Sequence, residues 1–254
     1  MLTLYHLNSS HFCEKARWAL DHKKLEYRSR ILTPGFHILT SRRVAGTRTV
    51  PVLYDDETGT ALPESTDILH YLDRIRPDPP LFPVDADLAS AVVEVEDLID
   101  EAWGPNSSSA AYCSMVEWPG EMRRRWSQGL NAGQKILLAA AMPVLVRGMR
   151  RIRKLTPEAR VEFQAKAFAA LDELETILER NGGRYLVGDT FTAADLTGAA
   201  LIAPVVQPPG SPWAEDPAVE APAGFPPPEL EQFRSEVAAR PIGRWARRIW
   251  QEHR

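Results

Sequence analysis

The sequence predicts two domains of different class, an α/β domain at the N-terminus and an all-helical one after it. Three observations carry this expectation. Strand-like alternation and helix-like spacing succeed one another over residues 1–76. Pro77-Asp78-Pro79-Pro80-Leu81-Phe82-Pro83 is too dense in proline to be either helix or strand. Beyond residue 86 only helical periodicity remains. The expected division is therefore an α/β domain over 1–76, a stiff linker over 77–85 and a helical domain over 86–254.

Taken in order, residues 2–7 alternate as a strand and break at Asn8-Ser9-Ser10. The chain resumes as a helix over 11–23, with Phe12, Ala16, Ala19 and Leu20 on one face. A second strand is expected over 25–31. Pro34, Gly35 and Gly46 make 33–48 read as a loop, with room for a broken helix. A third strand over 49–54 leads through Asp55-Asp56-Glu57-Thr58-Gly59 into a hairpin with Ala61-Leu62, and a helix over 65–75 follows with Ile68, Leu69, Leu72 and Ile75 on one face. The β-α-β start gives parallel strands, and the hairpin adds an antiparallel edge. Further helices are expected over 86–103, 109–131, 133–151, 157–181, 192–204 and 228–252. Thr192-Ala193-Ala194-Asp195 forms a capping box between Phe191 and Leu196. The proline-rich stretch 204–228 reads as a long loop.

Composition narrows the functional classes. A chain of 254 residues with 44% hydrophobic and 25% charged residues has the make-up of a globular protein with a substantial core. A net charge of −4 gives no reason to expect nucleic acid or a membrane surface as partner, and the run Arg147, Arg150, Arg151, Arg153, Lys154 reads as a solvated helix face. No signal segment is apparent, and the apolar run 136–146 is too short to span a bilayer. Two cysteines, Cys13 and Cys113, provide no disulfide framework and fit a reducing, cytoplasmic setting. His6, His11 and Cys13 are one ligand short of a metal site, so no metal is expected.

The turn at residues 8–10 is the place for chemistry. Ser10 stands where a strand meets a helix, beside the free N–H groups of the helix start, which favour an anion. Where that anion is a thiolate, a serine hydroxyl donates to the sulfur and lowers the thiol's pKa. Ser9 is the neighbouring candidate. Tyr5, on the strand that leads into the turn, carries a further hydroxyl. Cys13, in the first helical turn, reads as a small buried residue, with mixed-disulfide chemistry as the other possibility.

Ser10-His11-Phe12-Cys13 resembles the C-x-x-C segment of thioredoxin-like proteins with serine in place of the first cysteine. Thr49-Val50-Pro51-Val52-Leu53 and Pro63-Glu64-Ser65-Thr66-Asp67-Ile68 follow in the order seen in glutathione transferases. With these three in register and a helix-rich remainder, the chain resembles the cytosolic glutathione transferases, of a serine class. The resemblance implies a thioredoxin-like βαβ-loop/α-ββα domain, glutathione as co-substrate and a homodimer. It implies that Ser10 stabilises the glutathione thiolate and that a cis Val50–Pro51 bond presents Val50 to the cysteinyl unit. Glu64 and Ser65 then hold the γ-glutamyl end, with Asp67 as an alternative for its ammonium group. Phe12 lies against the tripeptide, and Arg48 holds its glycyl carboxylate in competition with Arg42 and Arg43. Tyr112, Met115 and Trp118 would line the pocket for a small hydrophobic electrophile or a disulfide. A glutathione-dependent disulfide reductase or peroxidase and a non-catalytic interaction module are the alternative functions.

Overall fold

The computed structural model describes residues 1–214, 219 and 221–254. Four strands, β1 (Leu2–His6), β2 (Tyr27–Ile31), β3 (Val52–Asp55) and β4 (Thr60–Leu62), form one sheet in the order β2-β1-β3-β4. β1 and β2 are parallel, Leu4 opposite Ser29. β3 runs antiparallel to both neighbours, with Leu53 opposite Leu4 on one side and Leu62 on the other. The central strand β1 is therefore the apolar one, and β2 at the edge keeps its arginines in solvent. Helix α1 (His11–His22) crosses from β1 to β2. Helix α2 (His37–Ala45) occupies the stretch expected to be mainly loop, and α3 (Ser65–Ile75) follows the hairpin. This mixed sheet with its helices is the α/β fold class expected of the N-terminal domain, and the chain beyond it is helical throughout the described residues.

In the helical part, α4 (Ala86–Leu98), one wide turn over Ile99–Trp103 and α5 (Gly104–Met115) run on as a single rod. The expected break at 104–108 is absent. Pro105 falls in the first turn after the wide turn, where its missing N–H leaves no helical bond unmade. Gly104 allows a close crossing, since a Cβ there would lie 2.9 Å from Leu201 Cδ2 and 3.1 Å from Phe12 Cζ. The helix expected over 109–131 is instead cut at residues 116–118 and restarts as α6 (Pro119–Trp126). Then come α7 (Ala132–Ile152), α8 (Pro157–Arg180), α9 (Ala193–Val206), α10 (Pro228–Ala239) and α11 (Pro241–His253). Pro241 divides the single helix expected over 228–252.

Helix α9 is buried along its whole length, and α1 packs on it from the sheet side, so one core runs from Leu4, Trp18 and Leu72 through to Trp103, Leu201 and Trp245. A second apolar cluster gathers Met115, Met122, Leu138 and Met142 beneath α7. The capping box at α9 forms as expected. Asp195 accepts the Thr192 main-chain N–H and hydroxyl, each at 3.0 Å, and also the Leu186 N–H at 2.7 Å. Phe191 stacks on His253, ring centroids 4.3 Å apart. Of the expected loop 204–228, residues 204–206 belong to α9, residue 228 begins α10, and residues 215–218 and 220 lie outside the described residues. Among the described residues no helix is long and apolar enough to cross a membrane.

Candidate functional site

Ser10 is the N-cap of α1. Its backbone is extended (φ −93°, ψ 125°), and its Oγ accepts the Cys13 N–H at a long 3.4 Å. Accepting that bond leaves the Ser10 hydroxyl hydrogen to be donated elsewhere. The turn before it is held by the Arg17 guanidinium, which reaches the Asn8 carbonyl (3.2 Å) and His6 Nδ1 (2.8 Å). Burial and the arginine charge push the His6 pKa down to about 4, so the ring is neutral and its Nδ1 accepts. Arg17 is itself paired with Glu14, which is buried and also meets Arg254 at 2.7 Å. The two guanidinium groups hold the Glu14 carboxyl below its ordinary value although burial acts against them.

Two residues into α1, Phe12 turns its ring into a crevice of about 490 Å³. Thr49, Val50 and Pro51 lie on one side of it and Glu64, Ser65 and Thr66 on another. The crevice thus brings together Phe12, Val50, Pro51, Glu64 and Ser65. Ser10 and Arg48 are not among its lining residues: Ser10 caps α1 two residues before Phe12, and Arg48 is on the surface two residues before Val50. The Val50–Pro51 peptide is cis. β3 begins only at Val52, so Val50 falls outside the ladder, and its main-chain N–H and C=O have no partner among the described residues.

The start of α3 is similarly open. Glu64, not Ser65, is the N-cap, and it makes no side-chain capping bond. The first main-chain bond of the helix runs from the Ile68 N–H to the Glu64 carbonyl, so the amides of residues 65–67 and the Ser65 hydroxyl beside them have no partner among the described residues. Such a helix start holds a carboxylate well.

Sequence reasoning missed the opposite wall. Asp97, Asp100 and Glu101, from the end of α4 and the wide turn, complete the crevice, and with Glu64 and Asp67 they give it five carboxylates and no cationic side chain on its surface. Their spacing of three and four residues places them on one helix face, and that was the available signal. Behind this wall Lys15 is fully buried, with Nζ 2.6 Å from Glu96 Oε1, 2.5 Å from Asp100 Oδ2 and 3.1 Å from Thr66 Oγ1. Burial pushes the Glu96 carboxyl up, with the lysine charge opposing.

The other candidates lie elsewhere. Cys13 is fully buried, and desolvation pushes its thiol up despite donation from the Leu7 N–H at 3.4 Å. Tyr5 lies in a separate hollow with Leu39, Arg43 and Tyr54. Tyr112, Met115 and Trp118 do not line the crevice. Met115 is core in the second cluster, Tyr112 packs edge-on against Trp126 at 6.2 Å, and Trp118 packs against Phe225 at 5.6 Å. Aromatic side chains at helical spacing went into packing here, because residues 116–118 turn the chain and fold α6 back on α5. His11, next to Phe12 but turned about 100° around the helix, lines a small cavity of about 40 Å³ with Ser107, Ser108 and Phe233. Its pKa is lowered to about 4 by burial and by Arg153, and its buried Nε2 has no partner among the described residues. No group of acidic, histidine and cysteine side chains suited to a metal ion occurs among the described residues.

Comparison with known proteins decides the family. Residues 4–80 match the model of the glutathione S-transferase N-terminal domain, and residues 147–219 match that of the glutathione S-transferase C-terminal domain. The chain belongs to the glutathione S-transferase family. Among curated proteins none matches the sequence. Solved structures with the same fold include the β-etherase LigF of Sphingobium sp. strain SYK-6, at 21% identity and TM-score 0.61 with 99% of each chain covered. A glutathione S-transferase of Xanthobacter autotrophicus Py2 has 21% identity and TM-score 0.59, covering 95% of this chain and 94% of that one. One of Methylobacterium radiotolerans, solved with glutathione sulfonate, has 23% identity and TM-score 0.53, covering 96% and 92%. For this family member the N-terminal match spans Ser10, Val50-Pro51 and Glu64-Ser65, whereas the helices α6 and most of α7 precede the C-terminal match.

Proposed function

We propose that the protein is a glutathione transferase of a serine class that binds the tripeptide in the crevice beside Phe12. The observation that carries this reading is the set of uncommitted main-chain donors and acceptors at Val50 and at the start of α3. An extended peptide pairs its cysteinyl N–H and C=O with Val50 in the manner of an added strand. Its γ-glutamyl carboxylate takes the amides of residues 65–67 and the Ser65 hydroxyl, and its ammonium group faces Glu64, Asp67 and the carboxylates of the opposite wall. Arg48, exposed and without an ion pair among the described residues, takes the glycyl carboxylate.

The sulfur then lies at the α1 start. The thiol proton leaves to water, and the Ser10 hydroxyl and the helix-terminal amides stabilise the thiolate. The thiolate pair forms a carbon–sulfur bond with a small hydrophobic electrophile, whose leaving group departs with the bonding electrons. The buried Cys13 is not offered as a nucleophile, so a disulfide acceptor would also be attacked by the glutathione sulfur. The remaining proposals are an α/β domain over 1–76 and a helical domain from 86, a homodimer as in the family, a cytoplasmic location and a role in detoxification.

Calorimetric titration with reduced glutathione tests the reading. Ser65→Ala is expected to weaken binding about tenfold, the loss of one hydrogen bond to a charged group. Ser10→Ala should keep the affinity within about threefold but lower turnover roughly 10- to 100-fold, with the thiolate absorbance of the bound tripeptide appearing at higher pH. No heat with the wild-type protein, or full turnover in Ser10→Ala, would overturn the proposal.

A further inference from the structure

Between residues 122 and 157 the sequence has no aspartate or glutamate, and every charged side chain there is lysine or arginine, in a protein whose net charge is −4. This stretch forms the end of α6 and the whole of α7. Helix α7 turns Leu138 and Met142 inward to the second cluster. Its opposite face is both apolar and basic. On that side Ile136, Leu137 and Val144 are 71%, 42% and 75% exposed, and Ile152, in the last turn on the Leu138 side, is 83% exposed. Ile136, Ala140, Val144, Arg147 and Arg151 follow at steps of four, four, three and four, a single face of the helix. Arg150 is paired with Glu117 at 2.7 Å. Arg147 and Arg151 on this face, and Lys135 and Lys154 towards the two ends of the helix, are exposed and have no ion pair among the described residues.

We propose that this face of α7 docks on a bilayer containing anionic phospholipid. Aliphatic side chains flanked by uncompensated arginine and lysine match the boundary between acyl chains and negative headgroups, with the helix lying in the plane of the surface. A nucleic acid would be met by the charges but not by the aliphatic side chains, and the face presents no aromatic ring for stacking. A second copy of the same face brings no carboxylate to its partner's arginines. Sequence composition hides the feature because acidic residues elsewhere outweigh it. Docking would also bring the candidate site near the lipid. Gln134 Nε2 donates to the Ile31 carbonyl at 3.1 Å, and Leu145 packs against Gly35, so α7 leans on the end of the sheet from which α1 departs.

The test is flotation of the full chain with vesicles of equimolar phosphatidylglycerol and phosphatidylcholine, against pure phosphatidylcholine, at about 0.15 M salt. The wild-type protein is expected to float with the anionic vesicles only, and less so as salt rises. Arg147→Glu/Arg151→Glu should cut the bound fraction at least about tenfold, and Ile136→Ser/Val144→Ser should reduce it at unchanged charge. All four positions are on the surface, so glutathione binding and thermal midpoint should stay those of wild type and report intact folding. Absence of flotation, equal flotation with neutral vesicles, or flotation insensitive to both variants would overturn the proposal. So would a dimer by light scattering that falls apart in Ile136→Ser/Val144→Ser, because the face would then be an interface between copies. Tight retention of DNA without vesicle binding would assign the charges to nucleic acid instead.

Discussion

Replacing Lys15 by methionine probes the wall between the two domains most directly. Methionine keeps an aliphatic stem of similar length and removes only the ammonium group. That group is buried with Glu96, whose side chain is likewise fully enclosed, and with Asp100, 16% exposed. Two carboxylates already share one cation, and Glu96 Oε2 and Asp100 Oδ1 are buried without a hydrogen-bond partner among the described residues. Without the lysine both charges are left uncompensated, which costs about 3–5 kcal/mol near neutral pH. Part of that cost can be relieved by protonation. Burial already pushes the Glu96 carboxyl up, and the lysine is the largest opposing influence, so its loss raises the folded-state pKa further. The folded variant then binds more protons than the unfolded chain. Its stability rises as pH falls through the folded-state pKa, by about 1.4 kcal/mol for every tenfold weakening of the carboxylic acid. Urea unfolding followed by tryptophan fluorescence should show a midpoint far below wild type at pH ~7.5 and a smaller deficit at pH ~5, with Glu96→Gln in the same chain restoring most of the loss. A deficit under about 1 kcal/mol with no steeper pH dependence than wild type would refute the reasoning, since a lysine truly isolated from water cannot be removed so cheaply.

Two further outcomes follow from burial. Asp195→Ala leaves the Leu186 and Thr192 N–H groups buried without acceptors, and at about 1–3 kcal/mol each the loss should be roughly 2–6 kcal/mol by chemical unfolding. Burial also raises the Asp195 carboxyl to about 6, so its contribution to stability should decline as pH rises from about 4 to 6, and that slope should vanish in the variant. Cys13 and Cys113 are both buried with thiols pushed up by desolvation, so the native protein should react with neither equivalent of a thiol reagent until urea is added. A fast native thiol that disappears in Cys13→Ser would contradict the burial.

Where local chemistry settles structure, the sequence is readable. Helix α3 runs over Ser65–Ile75 as its spacing predicts, and the Thr192–Asp195 box starts α9 because its two ends satisfy each other within one turn. Three misreadings have separate causes. α2 buries little beyond Ser41, so it has scant apolar periodicity to detect. Gly104-Pro105 looks like a break but is accommodated by a wide turn whose Trp103 indole donates to the Leu201 carbonyl at 2.9 Å, a contact from distant sequence. Pro119 and Pro241, by contrast, stand at helix starts, and their helix-starting preference was there to be read. The candidate site divides in the same way. Val50, Glu64 and Ser65 sit in short motifs that carry their own backbone geometry. The carboxylates of α4 and the wide turn, two of which pair with Lys15, acquire their places only when one domain lies against the other.

That docking is fixed by buried charge as much as by apolar packing. Helix α1 carries Glu14 and Lys15 on its buried sides and ends at the buried Lys23, and each is matched by a different part of the chain. Glu14 meets Arg254 at the far C-terminal helix, and Lys15 meets Glu96 and Asp100 in the helical domain. Lys23 meets Asp73 and the Pro79 carbonyl of the linker. Asp73 in turn accepts the Leu81 N–H at 2.7 Å, and the Leu81 carbonyl accepts the Ala193 N–H at 2.8 Å, so the linker is tied to the first residue of α9. Apolar surfaces alone tolerate sliding, whereas an ion pair out of register leaves a buried charge exposed to no solvent, and this penalises every misdocked arrangement by several kcal/mol. The crevice is the part most sensitive to such an error. Its main-chain donors, with Glu64 and Asp67, come from one domain and Asp97, Asp100 and Glu101 from the other, so a shift of about 1 Å along α1 would move the opposite wall away from the end that holds the carboxylate and ammonium groups. The charges on α1 therefore do more for the site through where they hold the helical domain than through any contact with a ligand.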